Sequence, residues 1–266
     1  MTKIHSAAII DSSVELGEGV SIGPFCVISG QVKIGDGVEV ISNTVITGNT
    51  TIGENTKIFP FSSIGHQPQD LKYKGELSRL EIGANNTIRE HVTINPGTAG
   101  GGMLTKIGDN CLFMVGSHVA HDCTIEDHVI LVNNATLAGH VEIGEWAIIG
   151  GLSAVHQFVR VGKHAMVGGM TGVESDIIPY GTVVGNRARL QGLNIVGLRR
   201  RNFSREIVHD IRKAYRLIFA EEGTMSERIE DVAQDFAENE AVMEIVDFIG
   251  KDSSRSICQP HMDDAA

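Results

Sequence analysis

A branched aliphatic residue recurs at every sixth position through most of the chain. This series runs from Ile10 to Val173, has 25 members, and contains Phe113 as its only non-aliphatic residue. A second series of small or β-branched residues, such as Cys26 and Ala135, lies two positions earlier in each unit. Because alternate residues of a strand share a face, each unit sends two side chains into one interior. The pattern predicts a mainly β fold, a solenoid of short parallel strands with three units per coil.

Two interruptions and one boundary divide this pattern. The six-residue series breaks between Ile64 and Ile82 and again before Ile107, which predicts inserted loops near 66–79 and 96–105. After residue 186 the apolar spacing becomes helical, so we expect a solenoid domain over 1–186 and an α-helical domain over 187–266 that caps it. The predicted helices run from Ser204 to about 220, from near Thr224, and over about 241–249, with frayed residues from 251 onward.

The composition of the chain limits the classes of protein to which it can belong. The chain has 22 Lys and Arg against 33 Asp and Glu, a net charge of −11, which argues against a nucleic-acid partner. No stretch is long and apolar enough for a membrane span, and the first residues lack a signal-peptide core, so we expect a cytoplasmic protein. Cys26, Cys111 and Cys123 lie on the small inward series and are interpreted as core residues.

Several histidines fall on one edge of the predicted solenoid. Residues 18 apart stack on neighbouring coils, roughly 4.8 Å apart. This register places the units that carry His121, His140 and His156 above one another on one face, with His118 beside them; we call these four residues the histidine strip. Asp122 and Gln157 follow two of them, and both interruptions leave from the same edge. The convergence predicts a functional site there, whereas His128 and His164 are interpreted as surface residues.

Seven stretches of the chain carry a family resemblance. They are 69–76, 118–123, 133–140, 148–151, 155–158, 197–201 and 203–206. In these stretches the sequence closely resembles the bacterial acyl-[acyl-carrier-protein]–UDP-N-acetylglucosamine O-acyltransferases, of the hexapeptide-repeat acyltransferases. The resemblance implies a left-handed β-helix, a homotrimer with sites between subunits, and the first step of lipid A biosynthesis. That step transfers an (R)-3-hydroxyacyl chain from acyl carrier protein to the 3-hydroxyl of UDP-N-acetylglucosamine.

The resemblance also assigns residues. It implies His121 as general base, Asp122 as the group that orients it, and the Gly139 amide as oxyanion donor. The implied substrate contacts are Gln69, Asp70, Lys72, His118, His140, His156, Gln157, Asn194, Arg200 and Arg201, with Gly169 at the position that measures acyl-chain length. No metal or other cofactor is implied. The chain departs from many members at Val196, where they have Glu, and at Arg187, where they have His.

A basic segment lies within the acidic chain. Residues 199–216 contain seven basic and two acidic side chains. A positive patch would steer an acidic acyl carrier protein to the site. The residues predicted to form this patch are Arg199, Arg205, Arg212, Lys213 and Arg216.

Four other functions remain open from the sequence. The acceptor could be a 3-amino analogue of the sugar, which would give an amide. The related UDP-3-O-acylglucosamine N-acyltransferase shares the repeat, but has an additional N-terminal uridine-binding domain, whereas here the units begin by Ile10. A trimeric zinc enzyme like the hexapeptide carbonic anhydrases would use His118 and His121. A purely structural β-helix would leave the histidine strip unexplained.

Overall fold

The computed structural model describes residues 1–260, which form 28 short strands, one 3₁₀ helix and four α-helices. The strands are β1 (Lys3–Ile4), β2 (Ile9–Ile10), β3 (Glu15–Leu16), β4 (Ser21–Ile22), β5 (Val27–Ile28), β6 (Gln31–Ile34), β7 (Glu39–Val40), β8 (Val45–Ile46), β9 (Asn49–Ile52), β10 (Lys57–Ile58), β11 (Ser63–Ile64), β12 (Arg79–Ile82), β13 (Thr87–Ile88), β14 (Thr93–Ile94), β15 (Leu104–Ile107), β16 (Leu112–Phe113), β17 (His118–Val119), β18 (Thr124–Ile125), β19 (Ile130–Leu131), β20 (Thr136–Leu137), β21 (Glu142–Ile143), β22 (Ile148–Ile149), β23 (Ala154–Val155), β24 (Arg160–Val161), β25 (Met166–Val167), β26 (Gly172–Val173), β27 (Gly181–Val184) and β28 (Arg189–Leu193). The helices are the 3₁₀ helix Ala99–Gly101, then α1 (Ile195–Arg200), α2 (Arg205–Ile218), α3 (Met225–Asp235) and α4 (Glu240–Gly250).

Three sheets form the sides of a prism. The first holds β1 and every third strand to β25, then β27 and β28; the second runs in the same way from β2 to β26, and the third from β3 to β24. Neighbouring strands are parallel and in register, as in the pairing of Val119 with Leu137, except that β28 is antiparallel to β27. The prediction of a left-handed parallel β-helix with C-terminal helices is confirmed.

The inward positions explain why the chain coils in this way. The last residue of each strand from β4 to β26 is buried, and so is the residue two positions before it, which is small or β-branched except at Leu80 and Asn86. Cys26, Cys111 and Cys123 are free and buried on the small series, as predicted. Burial raises the pKa of Cys111 and of Cys123 to about 12, so both thiols stay protonated at neutral pH.

Both interruptions leave from the end of the second sheet. The first loop joins β11 to β12, and the second, which contains the 3₁₀ helix, joins β14 to β15. Because β17, β20 and β23 belong to the same sheet, the loops and the histidine strip share one edge of the prism. The repeat register therefore correctly predicted that both loops and the histidine strip lie at one edge of the prism.

The three predicted helices are present as α2, α3 and α4. Ser204 caps α2 by accepting a hydrogen bond from the Ile207 amide, and Thr224 with Glu227 forms the predicted capping box of α3. The short helix α1 was not predicted, because six residues offer too little periodicity to detect. No helix in residues 1–260 is long and apolar enough to cross a membrane.

Residues 251–260 are tied to the solenoid, so the prediction of fraying from 251 is wrong over these residues. Asp176 forms a parallel bridge with Ile257, and Leu190 forms one with Pro260. This segment, rather than the helices alone, covers the last coil, while α4 packs beside it with Phe248 under the Arg160 guanidinium. The predicted helical domain extends to 266, and residues 261–266 lie outside the described residues.

Candidate active site

His121 and Asp122 lie in the turn that follows β17. His121 Nδ1 is 2.8 Å from Asp122 Oδ2, and the Asp122 side chain is fully buried while 16% of the His121 side chain is exposed. Asp122 adopts a positive φ of 59°, which turns its carboxylate back under the neighbouring ring. With its Nδ1 proton donated to the carboxylate, the imidazole presents the Nε2 lone pair to the outside.

The glycine-rich second loop holds the Asp122 carboxylate. The Thr98 amide donates to Oδ1 at 2.8 Å, and the Thr98 hydroxyl donates to Oδ2 at 2.5 Å. A Cβ on Gly101 would lie 2.0 Å from the Asp122 carboxyl carbon, so this glycine is needed for the loop to approach closely. Sequence reasoning noted the glycines but missed Thr98, since nothing in the repeat register places a loop residue.

Gly139 lies one coil above His121. A Cβ at this position would be 2.5 Å from His121 Cε1 and 2.7 Å from Nε2, so only glycine leaves room for the ring. Among residues 1–260, no hydrogen bond partner is found for the Gly139 amide, whereas its carbonyl accepts from the Phe158 amide. The structure thus places a free N–H beside the exposed nitrogen of the imidazole.

His140 and His118 flank the pair. The His140 ring stacks on Phe158 with centroids 4.4 Å apart, meets the His121 ring edge-on, and has Nε2 3.9 Å from Asp122 Oδ2. His118 Nδ1 is 2.7 Å from the Thr93 hydroxyl. Burial lowers the pKa of both His118 and His140, which favours their neutral forms at neutral pH.

The first loop lies over this edge. Asp70, Lys72 and Lys74 line a cleft of about 440 Å³ together with Thr98 from the second loop. Asp70 and Lys72 are close enough to shift the pKa of His140 in opposite directions, so the loop reaches the histidine strip. Gln69 is exposed beside them.

His156 and Gln157 lie exposed at the far end of the strip, whereas Gly169, also exposed, follows β25 of the first sheet and so lies at a different edge. Arg255 contacts both His156 Nδ1 and the Gln157 carbonyl oxygen from the C-terminal segment. This contact could not be predicted, because the segment was expected to fray. A Cβ on Gly169 would meet only the Gly151 carbonyl oxygen, at 3.3 Å.

Three predicted substrate contacts lie apart from the strip within one chain. Asn194 caps α1 and donates to the His164 carbonyl oxygen, and Arg201 stacks on Trp146 while donating to its carbonyl oxygen. Arg200 is exposed. None of the contacts of these side chains in residues 1–260 is with His118, His121, His140 or His156. Of the two departures from the family, Arg187 pairs with Glu174, and Val196 is exposed.

The interpretation of His164 as a surface residue is wrong. Its ring is half-buried between Tyr180, 5.6 Å away, and Phe203 of the helical part, 5.1 Å away, and its Nδ1 is buried. Burial lowers the pKa of His164 to about 4, and the Arg201 charge adds to this effect. His128 is partly exposed and stacks on Trp146 at 3.9 Å.

The five residues predicted to form the basic patch are all exposed on α1 and α2. Arg199, Arg205 and Arg212 line one cleft of about 880 Å³. Arg212 and Arg216 line a second, of about 940 Å³, whose walls include Tyr215 and Phe219. Lys213 lies over the Phe236 ring. The patch therefore faces outward with apolar surface between its charges.

Within residues 1–260, one group of ligand atoms is compact enough for a metal ion. His121, Asp122 and His140 each offer an atom within 4.8 Å of the others. However, the Asp122 oxygens already accept hydrogen bonds from Thr98 and His121, and these bonds use the carboxylate to orient an imidazole. The geometry suits proton transfer by His121 better than metal coordination.

Comparisons with known proteins identify the family. Residues 176–258 match a family model described as UDP-N-acetylglucosamine O-acyltransferase, domain 2, and residues 13–48 and 104–139 match the bacterial transferase hexapeptide model. An acyl-[acyl-carrier-protein]–UDP-N-acetylglucosamine O-acyltransferase from Methylobacterium radiotolerans is 58% identical over 77% of this chain and 75% of its own. One from Rhizobium johnstonii is 46% identical over 97% and 95%. The structure of the Francisella novicida UDP-N-acetylglucosamine acyltransferase is 38% identical over 100% of this chain and 99% of its own, with a TM-score of 0.94. This chain belongs to the acyl-[acyl-carrier-protein]–UDP-N-acetylglucosamine O-acyltransferase family.

Proposed function

We propose that this protein, an acyltransferase, moves an (R)-3-hydroxyacyl chain from acyl carrier protein to the 3-hydroxyl of UDP-N-acetylglucosamine with His121 as general base. The sugar oxygen attacks the thioester carbonyl directly, and its proton passes to His121 Nε2. An ester C–O bond forms, the C–S bond breaks, and the imidazolium returns the proton to the departing thiolate. The observation that carries this mechanism is the buried Asp122 carboxylate, held by Thr98 on one side and bonded to His121 Nδ1 on the other.

The roles of the flanking groups follow from their positions. An imidazole titrates near neutral pH, and a carboxylate on Nδ1 both fixes its tautomer and stabilises the imidazolium. The unpaired Gly139 amide supports an oxyanion role, because an N–H donor beside the base can stabilise the negative charge that develops on the carbonyl oxygen. Cys123 is buried and donates its thiol to the Ala138 carbonyl oxygen, which supports direct transfer without a covalent acyl-enzyme.

We assign the substrate contacts on the same basis. The histidine strip and the first loop would contact the nucleotide sugar and the reacting carbonyl, and Gly169 would measure the acyl chain. Asn194, Arg200 and Arg201 would serve a site of a neighbouring subunit, since in one chain they lie away from the strip. The basic patch would receive the acidic carrier protein.

A homotrimer with sites between subunits is part of this proposal. Leu71 on the first loop is fully exposed, and Leu152 and Met170 are largely exposed, so a neighbouring subunit would bury them. An active monomer in light scattering would contradict the trimer. We also propose a cytoplasmic location, because all four cysteines are unpaired, as expected in a reducing compartment.

The alternatives considered from the sequence are not favoured by the relatives, which are named O-acyltransferases. We propose that no metal or other cofactor takes part, since a base, its orienting carboxylate and an oxyanion donor already lie together. Full acylation after chelator treatment is the expected result, and loss of activity that zinc restores would contradict it.

The test of the mechanism is His121→Ala, with His128→Ala as the matched control. Loss of the base should lower kcat by about 10²–10⁴, the range for general-base catalysis, with the melting temperature unchanged. His128→Ala should retain kcat, because this ring stacks on Trp146 on another face. More than about a tenth of wild-type kcat in His121→Ala, or a trapped acyl-enzyme, would refute the mechanism.

A further inference from the structure

The guanidinium of Arg255 joins the C-terminal segment to the last histidine of the strip. Its Nη2 lies 2.6 Å from His156 Nδ1, and its Nε donates to the Gln157 carbonyl oxygen at 3.0 Å. His156 is exposed in the turn after β23, on the same edge as His121 and His140. A residue almost one hundred positions later in the chain therefore forms a hydrogen bond with Nδ1 of this ring.

Arg255 is presented by a firmly held backbone. Its amide donates to the Ser253 hydroxyl, which in turn donates to Asp176 Oδ2 at 2.7 Å. Asp176 is fully buried, and its main chain bonds with both Ser256 and Cys258. The guanidinium is thus delivered by a segment tied to the solenoid at three points.

We propose that Arg255 is a positioning residue that fixes the tautomer of His156. A guanidinium has only hydrogen-bond donors, so its contact with Nδ1 requires the Nδ1 lone pair and leaves the ring proton on Nε2. Without Arg255, the remaining neighbour of Nδ1 is the Gln157 carbonyl oxygen at 3.3 Å, which is an acceptor. Loss of the guanidinium would therefore move the proton to Nδ1 and turn Nε2 into an acceptor.

The fixed tautomer gives the site a hydrogen-bond donor. No partner for His156 Nε2 is found in the part of the chain that the structure describes. This N–H is the group that donates to an oxygen of the bound nucleotide sugar, an inference that rests on the proposed function. Arg255 acts on binding through His156, so its removal weakens binding of the nucleotide sugar and leaves the proton transfer at His121 intact.

Nitrogen NMR of the full-length protein with ¹⁵N-labelled histidine tests the tautomer without reference to activity. The His156 signals, assigned with His156→Gln, should show an unprotonated Nδ1 and a protonated Nε2 in the wild type. In Arg255→Ala the protonated nitrogen should become Nδ1 for at least part of the population. A protonated Nδ1 in the wild type, or signals that do not change in Arg255→Ala, would overturn the proposal.

Steady-state kinetics then test its consequence for binding. Arg255→Ala should raise KM for UDP-N-acetylglucosamine roughly 5- to 20-fold, the effect of one lost hydrogen bond, with kcat and the KM of the acyl donor within about twofold. Arg189→Ala is the matched control, because Arg189 is also exposed and adjoins Leu190, which bridges to Pro260 of this segment, but no histidine contact is found for it in residues 1–260. Equal changes in both KM values, or the same change in the control, would overturn the assignment.

A double-mutant cycle separates positioning from general structural support. In His156→Gln the side-chain amide supplies a donor near Nε2 whether or not Arg255 is present. Arg255→Ala should then have almost no further effect on KM, and a full-sized additional effect would overturn the proposal. If the NMR result is as expected but no variant acylates UDP-N-acetylglucosamine, the proposed function fails while control of the tautomer stands.

Discussion

The solenoid and the C-terminal part of the chain place their functional residues by different means. In the solenoid, a residue 18 positions later lies one coil above, so Gly139 falls on His121 and His140 on Asp122. After residue 186 no such rule holds, and Arg201 and Arg255 are placed by side-chain contacts over 55 and 99 positions. Backbone register fixes the first group, whereas individual contacts fix the second. A methyl group added at a glycine that contacts the neighbouring coil should therefore damage the solenoid site most.

After removal of the base itself, the largest effect is expected for Gly139→Ala. Its Cβ would lie 2.5 Å from His121 Cε1, which forces the ring away from its position between Asp122 and the oxyanion donor. We expect kcat to fall about 10²-fold, since a displaced base loses most of its contribution. Gly250→Ala, where a Cβ meets nothing within 4 Å, is the control. Retention of more than a fifth of kcat would show that the coil can adjust.

Thr98→Val should have the next largest effect. Valine keeps the shape of threonine but removes the hydroxyl that donates to Asp122 Oδ2 at 2.5 Å. A hydrogen bond to a charged group is worth enough for roughly a tenfold loss of kcat. Thr98→Ser, which retains the hydroxyl, should recover most of the activity. Equal kcat values for the two variants would show that only the loop backbone matters.

Charge reversal on α2 tests the C-terminal part. Arg212→Glu with Arg216→Glu should raise KM for the acyl carrier donor several-fold, because steering of an acidic partner depends on these charges. The effect should shrink at high salt, and KM for the nucleotide sugar should stay constant. The same reversal at Lys3 and Lys33, at the other end of the solenoid, is the control. Equal changes for both substrates would rule out a carrier-specific surface.

The smallest effect concerns stability where the two parts meet. The folded-state pKa of His164 is about 4, below the ordinary histidine value of about 6.5, because burial against Tyr180 and Phe203 and the charges of Arg201 and Lys163 outweigh the opposing charge of Glu244. The unfolded chain binds more protons between these values, so stability falls as the pH drops from about 6.5 to about 4. The melting temperature should fall between about pH 6.5 and about pH 4, and His164→Gln should make this fall a few degrees smaller than it is in the control His5→Gln. The same fall in melting temperature in both variants would show that His164 does not cause this pH dependence.

Features that depend on periodicity could be predicted from the sequence. The six-residue series located the strands, the interior cysteines and the edge carrying His121, because a solenoid converts spacing directly into position. Thr98, α1 and the contact of Arg255 with His156 were missed, since each depends on a loop or segment that has no repeat. His164 was misplaced for a related reason: counting units shows its face, but not that the helical part packs on it.

The bridge between Asp176 and Ile257 also bears on how the molecule avoids unwanted assembly. A parallel β-helix ends in open sheet edges, and an open edge offers unpaired main-chain groups to any other strand. Here the chain returns after four helices and lays residues 256–260 across two of those edges, with Cys258 buried beneath. The segment that brings Arg255 to His156 therefore also covers the open end of the solenoid. A shortened chain ending before residue 253 would expose that end, and we expect it to aggregate by strand addition.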